Sequence, residues 1–490
     1  MLQIRQAARW FGRLRIFGGL DLEVAAGNRL FLGGPNGSGK TTLLRCLAGT
    51  LALDSGRATV DGHPVGSSAA RQLTGVCLAP EHRLYEKLSA HQNIAFVARL
   101  RLPWRVVRGA VARVEEELDI VGYAAVPVER CSAGMRARVS VARALVGTPA
   151  LLLLDEPGRS LDEHARGLLW QALDRRSELT VVVASHQTDD RSRCQQELTL
   201  TARMTPPTRT DRPSTDRAGA AGRPSTVGLA ATVLALVRRD LGERHLLRWP
   251  LLLDFVFGVV NLVVYLFISR VLTPSTDGGF PSASYFDFVA AGLTFMLVVQ
   301  AATSQLTSRV SREQRSGTLE LLAAQPLPVG ALAVGLAGYP FLFALLRAAV
   351  YLLVLGTLLG LPVARAHWWA VAALLLVGGA AMMSVGIALA AIAVVVGHGD
   401  AIARLAVVGL SFLSGTYFPV TALPGVLPEL TVVLPSRLAL DGLRGALSGG
   451  PWAMSVLTLL AATALLLPMS ILLFHRALAV AARRGTLTRE

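Results

Sequence analysis

The chain has 490 residues, room for about two to four domains. Its 52% apolar content and mean hydropathy of +0.49 exclude an ordinary water-soluble enzyme of this length. A formal net charge of +15 would suit a nucleic-acid binder, but the Arg residues are spread over the first 200 residues, the stretch that follows them and short loops between apolar runs, which argues against nucleic acid.

The N-terminal run MLQIRQAARWFGRLRIF is basic but has no apolar core followed by a small-residue cleavage site, so no signal peptide is expected. Residues 1–202 alternate short β-type runs with helical segments, which predicts an α/β domain. Arg29–Leu32 reads as a strand and Thr41–Ala48 as a helix. Gly34, Pro35, Asn36, Gly37, Ser38, Gly39, Lys40 and Thr41, followed by Thr42, lie at their junction and complete the pattern G-x-x-x-x-G-K-[ST]. Glycines there let backbone N–H groups close around phosphates, and the helix start adds partial positive charge. Lys40 is expected to reach the β- and γ-phosphates of ATP and Thr41 to hold Mg²⁺.

Leu151–Leu154 is unbroken apolar sequence and reads as a buried strand, as does Val181–Ala184. Asp155 follows the first of these and is the second expected Mg²⁺ contact, through water; Glu156 is placed to act as general base on the attacking water. Cys46, Cys77, Cys131 and Cys194 match no zinc or C-x-x-C spacing, so buried reduced thiols are expected.

Residues 203–228 are dominated by Pro, Thr, Arg, Gly and Ser without periodicity, and predict a flexible linker. Leu229–Leu247 is amphipathic, with Arg238, Arg239, Arg244 and His245, and suits a helix in a membrane interface. Apolar stretches at 249–272, 286–306, 330–361, 367–397, 402–419 and 453–474 then predict an all-α domain, 229–490, with about six transmembrane helices. Arg309, Arg312, Arg315, Arg404, Arg476, Arg483 and Arg484 lie on one side of such a bundle and the Arg-free loop 273–284 on the other. The positive-inside bias then puts both termini in the cytoplasm of a multi-pass cell-membrane protein, although Arg365, Arg437 and Arg444 fall outside. Asp254, Gln300 and Arg347 lie within or near the apolar stretches and are candidates for substrate contact.

The first 202 residues resemble the ABC transporter ATPase family. Cys131-Ser132-Ala133-Gly134-Met135 resembles that family's L-S-G-G-Q signature, Ser160-Leu161-Asp162 its D-loop, and His186, after Val181–Ala184, its switch histidine. The resemblance implies that Phe11, or else Trp10, stacks on adenine, that His186 touches the γ-phosphate, and that Ser132, Gly134 and Asp162 complete a nucleotide site on a second subunit. It further implies a homodimer, or a dimer with a related half-transporter. The family's Gln after the strand near Val76–Leu78 is missing from GVCLAPEHRLYEKLSAHQNI, where Glu81 is a candidate substitute.

Residues 312–322 with Gln325-Pro326-Leu327, and Ser414–Pro419 with Leu423-Pro424, resemble ABC-2 type export permeases. In that family the first segment is a helix that docks on the ATPase and the second enters a broken external segment. The two resemblances imply an α/β P-loop ABC nucleotide-binding domain followed by an all-α membrane domain. Together they would export an amphipathic, drug-like or lipid-like substrate through the bilayer. The alternative is a non-transport ABC machine that regulates a membrane partner.

Overall fold

The structure is a computed structural model and describes residues 1–78, 81, 83–201, 228–244, 248–271, 285–358, 365–397 and 399–488. The expected linker at 203–228 falls almost wholly outside these residues. The chain forms two compact units: Met1–Glu243 with Glu313–Leu332 and Ala479–Glu490 make the first, Arg244–Arg312 with Ala333–Leu478 the second.

Among the described residues the first unit has nine strands: β1 (Leu2–Phe11), β2 (Leu14–Val24), β3 (Arg29–Gly33), β4 (Ser55–Val60), β5 (His63–Pro64), β6 (Thr74–Cys77), β7 (Leu151–Asp155), β8 (Thr180–Ala184) and β9 (Gln196–Thr199). Four pair antiparallel in the order β2-β1-β4-β5, and five pair parallel in the order β6-β7-β8-β3-β9. A parallel sheet covered on both faces needs near-continuous apolar strands. Leu151, Leu152, Leu153 and Leu154 meet that need, each 0% exposed. The carboxyl ends of β3, β6, β7 and β8 lead respectively into the phosphate loop, Leu78, Glu156 and His186, where open α/β sheets gather ligands.

The helix expected over Thr41–Ala48 runs from Lys40 to Leu47, and the two apolar strands each gain a residue. The helix Leu229–Arg244 buries Thr232, Leu236, Arg239 and Asp240 within the first unit, while Leu234 and Leu241 on its other face are exposed.

The second unit is helical. Arg248–Val271, Tyr285–Gln300, Val329–Thr357, Trp368–Val396, Gly399–Leu413 and Ala453–Arg484 answer to the six apolar stretches. Tyr285–Gln300 does not end where the second stretch was expected to; it passes through a π turn, Ala301–Gln305, into Leu306–Arg315. Four described helices are long and apolar enough to cross a membrane: Tyr285–Arg315, Val329–Thr357, Trp368–Val396 and Ala453–Arg484. The fifth stretch is the largest departure, since its helix stops at Leu413. Backbone breaks at Gly415, φ +70°, and at Pro419, and short helices follow at Leu427–Thr431 and Pro435–Ser448.

Small residues let these helices approach closely. A Cβ at Gly386 would collide with the carbonyl oxygen of Ala302 in the π turn, and one at Gly292 would lie 2.6 Å from that of Thr416. Thr294, Thr303 and Thr307 are buried, and their hydroxyls donate to carbonyls one turn back at 2.9, 2.7 and 2.7 Å. Ala453–Arg484 is the least covered helix, 11% buried in its apolar window, and exposes Leu457, Leu460, Leu465, Met469 and Leu472. Water penalises such a surface; a bilayer accepts it.

Arg444, one of the three Arg residues at odds with the expected sidedness, is held by local contacts. Its guanidinium lies 3.4 Å from the centroid of the Phe288 ring and donates to the carbonyls of Phe288 and Gly415 at 3.2 and 2.8 Å. Arg437 donates to Pro428 O and Thr431 Oγ1 at 3.0 and 2.6 Å. Both cations are thus tied to backbone carbonyls at or beside the broken segment.

Candidate functional site

The phosphate loop folds through three left-handed glycines, Gly34, Gly37 and Gly39, with φ of +134°, +80° and +97°. Only glycine adopts these angles without strain, and the loop curls so that Lys40, at the first position of the helix, turns back over it. Lys40 Nζ donates to Gly34 O and Pro35 O at 2.7 and 3.1 Å. Ser38 Oγ is buried and has no hydrogen-bond partner among the described residues, an orphan hydroxyl inside the loop. Loop, ammonium and orphan hydroxyl fit a phosphate chain.

The ends of β7 and β8 bring the other expected residues to the same place. Thr41 Oγ1 donates to Asp155 Oδ2 at 2.8 Å, so the two side chains named for Mg²⁺ are neighbours. His186 Nε2 lies 3.2 Å from Lys40 Nζ and 3.3 Å from Glu156 Oε1. Glu156 has φ +48°, a conformation costly for a side chain with a Cβ, and its N–H donates to Ala184 O at 2.8 Å. Burial raises its carboxyl above the usual range, opposed by His186; burial also raises Asp155, opposed by the Thr41 hydrogen bond. A half-buried carboxylate with a raised pKa beside an imidazole is suited to taking a proton from water.

Ser132, Gly134 and Asp162 are placed differently. Ser132 caps the helix Ala133–Leu145, accepting from Met135 N at 3.2 Å, and Asp162 caps Glu163–Asp174, accepting from Ala165 N at 2.7 Å. A Cβ at Gly134 would lie 2.9 Å from Ser160 O. Among the described residues no hydrogen bond joins these three to the phosphate loop of their own chain. Phe11 ends β1, is 40% exposed, and carries the Arg9 guanidinium 4.7 Å from its ring centroid. Trp10 is the more covered of the two aromatics, and its backbone N–H donates to Asp54 Oδ2 at 2.7 Å. Asn36 and Gly37 are exposed on the loop.

A second cluster in the same unit was not legible in the sequence. Glu320, on the helix Thr318–Ala323, is 3% exposed. Its carboxylate accepts from Thr50 Oγ1 and Thr488 Oγ1 at 2.8 and 2.6 Å and pairs with Arg45 and Arg83 at 3.4 and 3.0 Å. Arg45 stands on the helix that begins at Lys40. Beside it, Arg239 pairs with Asp240 and Glu313 at 2.9 and 3.1 Å and donates to Tyr85 Oη at 2.8 Å.

Two family models match the chain. The ABC transporter model matches residues 17–159 and the ABC-2 type transporter model residues 234–448. The chain is an ABC transporter ATPase domain fused to an ABC-2 type membrane domain. Its cassette is 30% identical to the linearmycin resistance ATP-binding protein LnrL of Bacillus subtilis, over 39% of this chain and 62% of that one. It is 36% identical to the daunorubicin resistance ATP-binding protein DrrA3 of Streptomyces coeruleorubidus (34% and 54%). It is 40% identical to the aliphatic sulfonates import ATP-binding protein SsuB 1 of Pseudomonas syringae pv. tomato (39% and 66%). This chain thus spans less than two thirds of the length of these relatives. A solved dimer, "MJ0796, a Bacterial ABC Transporter Cassette", is 20% identical with a TM-score of 0.39, covering 41% of this chain and 95% of that one.

Within this ABC cassette the loop lacking the family's Gln divides its contacts. Glu81 accepts from the Ser160 hydroxyl of the D-loop-like segment, and Arg83 reaches Glu320. The only hint in the sequence was a charged residue in each segment that the family resemblance had already marked. Of the residues considered for substrate, Gln300 is exposed and Arg347 lies 5.9 Å from the Tyr351 ring centroid; the Asp254 side chain lies outside the described residues.

Proposed function

We propose that this protein hydrolyses ATP to export an amphipathic, drug-like or lipid-like substrate across the cytoplasmic membrane, as a homodimer with both termini in the cytoplasm. One observation carries the reading. The helix Lys40–Leu47 opens on the phosphate loop and, through Arg45 and the following Thr50, closes on Glu320. A force on nucleotide phosphates is therefore one short helix away from the segment that resembles the family's docking helix. The domain fusion supports transport, and the ABC-2 type match supports export. The cassette relatives alone do not decide direction, since their names include both resistance and import.

In this reading Lys40, Ser38 and the loop N–H groups bind the phosphates of ATP, and Phe11 receives the adenine. Thr41 and Asp155 would hold Mg²⁺, which supplies charge neutralisation at the phosphates. Glu156 takes the proton of the attacking water, and His186 contacts the γ-phosphate. Ser132 and Asp162 cap helices, make no hydrogen bond to their own phosphate loop among the described residues, and with Gly134 serve the site of a second copy. ATP then favours the closed pair and hydrolysis releases it, the differential affinity that ligand-driven motion requires.

Purified protein in lipid vesicles tests this directly. ATP-dependent movement of an amphipathic tracer, abolished by Glu156→Gln, is the expected result. Hydrolysis that moves no tracer and rises only with an added membrane partner would favour the regulatory alternative.

A further inference from the structure

We propose that the segment 479–488 positions Phe11 for adenine, a specificity role resting on the reading of Phe11 as the stacking residue. Four contacts place the segment on the adenine side of the cassette. Arg9 is 2% exposed and is held by Asp54 Oδ1 at 3.0 Å and by the carbonyl of Arg483 at 2.7 Å. Ala52 N donates to Ala482 O at 3.2 Å. Gly485, φ +73°, packs so close that a Cβ there would lie 3.0 Å from Phe11 Cε1 and 3.4 Å from Leu51 Cδ1. Leu487 is 3% exposed.

Phe11 therefore has the Arg9 guanidinium 4.7 Å from its ring centroid and Gly485 against Cε1 and Cζ, and stays 40% exposed. In the proposed role adenine stacks on the exposed part of the ring. A phenyl ring at the end of a hairpin strand would otherwise sample several rotamers, and each nucleotide bound would have to fix one of them. The segment fixes it beforehand, which raises affinity through preorganisation. The ordering is local and specific: Gly485 is the residue at the ring edge, and its positive φ is what lets the backbone turn there. The same segment also continues to the second cluster, where Gln314 Nε2 donates to Thr486 O and Thr488 Oγ1 to Glu320.

The test is a double-mutant cycle on ATP hydrolysis by the full chain in lipid, with thermal stability measured alongside. Phe11→Ala is expected to raise KM for ATP roughly tenfold, the order of a lost base–aromatic stack. Gly485→Val is expected to raise KM by a similar factor while kcat stays within about twofold, and the double variant to be no worse than Phe11→Ala alone. Should Gly485→Val fail to fold, Gly485→Ala, whose Cβ alone meets the ring, replaces it. A Gly485 effect that persists in the Phe11→Ala background, or a KM unmoved by Gly485 variants when Phe11→Ala raises it, would overturn the positioning role. A KM unmoved by Phe11→Ala would instead remove the stacking role, and the positioning role with it.

Discussion

Glu320 Oε2 lies 3.0 Å from Arg83 Nη1, so a carboxylate from the 318–323 helix is clamped by the very loop in which the ABC family's Gln is missing. Arg45 and Thr50 hold the other oxygen. The sequence offered Glu81 in place of that Gln; Glu81 accepts from Ser160 instead, and Arg83 is the residue of this stretch that pairs with Glu320.

Glu320→Ala leaves two covered guanidinium groups without their carboxylate, a loss of about 3–5 kcal/mol for a buried pair. A lowered melting temperature is expected, with tracer moved per ATP falling at least about tenfold once the linkage is cut. Glu320→Gln, which still accepts from Thr50, is expected to fall between the two. Unchanged transport per ATP in Glu320→Ala would place the linkage elsewhere.

Glu156→Gln keeps the shape of the side chain and removes its basicity. Turnover is expected to drop about 10²- to 10⁴-fold, the usual share of a general base, while ATP binding persists. Equilibrium binding and single-turnover hydrolysis separate the two effects. Near-normal turnover would assign the base to another group.

The grouping of Lys40, Thr41, Asp155 and Glu156 was legible because its pattern is local: glycines at fixed spacing, a lysine at a helix start, and two carboxylates after a strand of four leucines. Thr41 and Asp155 are far apart in the chain, yet parallel pairing of buried strands leaves little freedom in where their ends meet. The second cluster was not legible, since Glu320, Thr50, Arg45, Arg83 and Thr488 come from four separated segments and no periodicity joins them. The charges of Leu229–Leu247 suit an interface helix, whereas Arg239 in the helix Leu229–Arg244 is 3% exposed and paired with Glu313, Asp240 and Tyr85. The second span ran past its expected end because a π turn keeps the backbone helical where Gln300 and Thr303 dilute the apolar pattern.

Gly386→Ala puts a methyl group into the carbonyl of Ala302, and overpacking of this kind costs about 1–3 kcal/mol or more. A clear fall in the melting temperature of the detergent-purified protein is expected. Gly409→Ala, with nothing within 4 Å of the new Cβ, is the control and is expected to be neutral or stabilising by up to about 1 kcal/mol. Equal effects at the two glycines would contradict the close helix contact.

The thiols offer a check on the cassette core. Burial pushes Cys46 and Cys77 up to about 12 and Cys194 up to about 11, so the reactive thiolate is scarce in all three near neutral pH. Maleimide labelling of the native protein is expected to stay slow between about pH 7 and 9 and to become fast on unfolding, since the unperturbed thiol value is near 8.5. Rapid native labelling of Cys77, counted by mass spectrometry, would show that the sheet edge opens.

Complementation between two dead variants probes the shared nucleotide site most directly. Lys40→Ala removes the phosphate-loop lysine and Ser132→Arg blocks the signature segment, and each is expected to abolish hydrolysis alone. In a two-fold dimer that mixes them, one site carries both lesions and the other neither. Co-expression is then expected to restore roughly a quarter of wild-type ATPase activity with random pairing and independent sites. A co-expressed pair as inactive as either variant alone would contradict a site built from two copies of this chain.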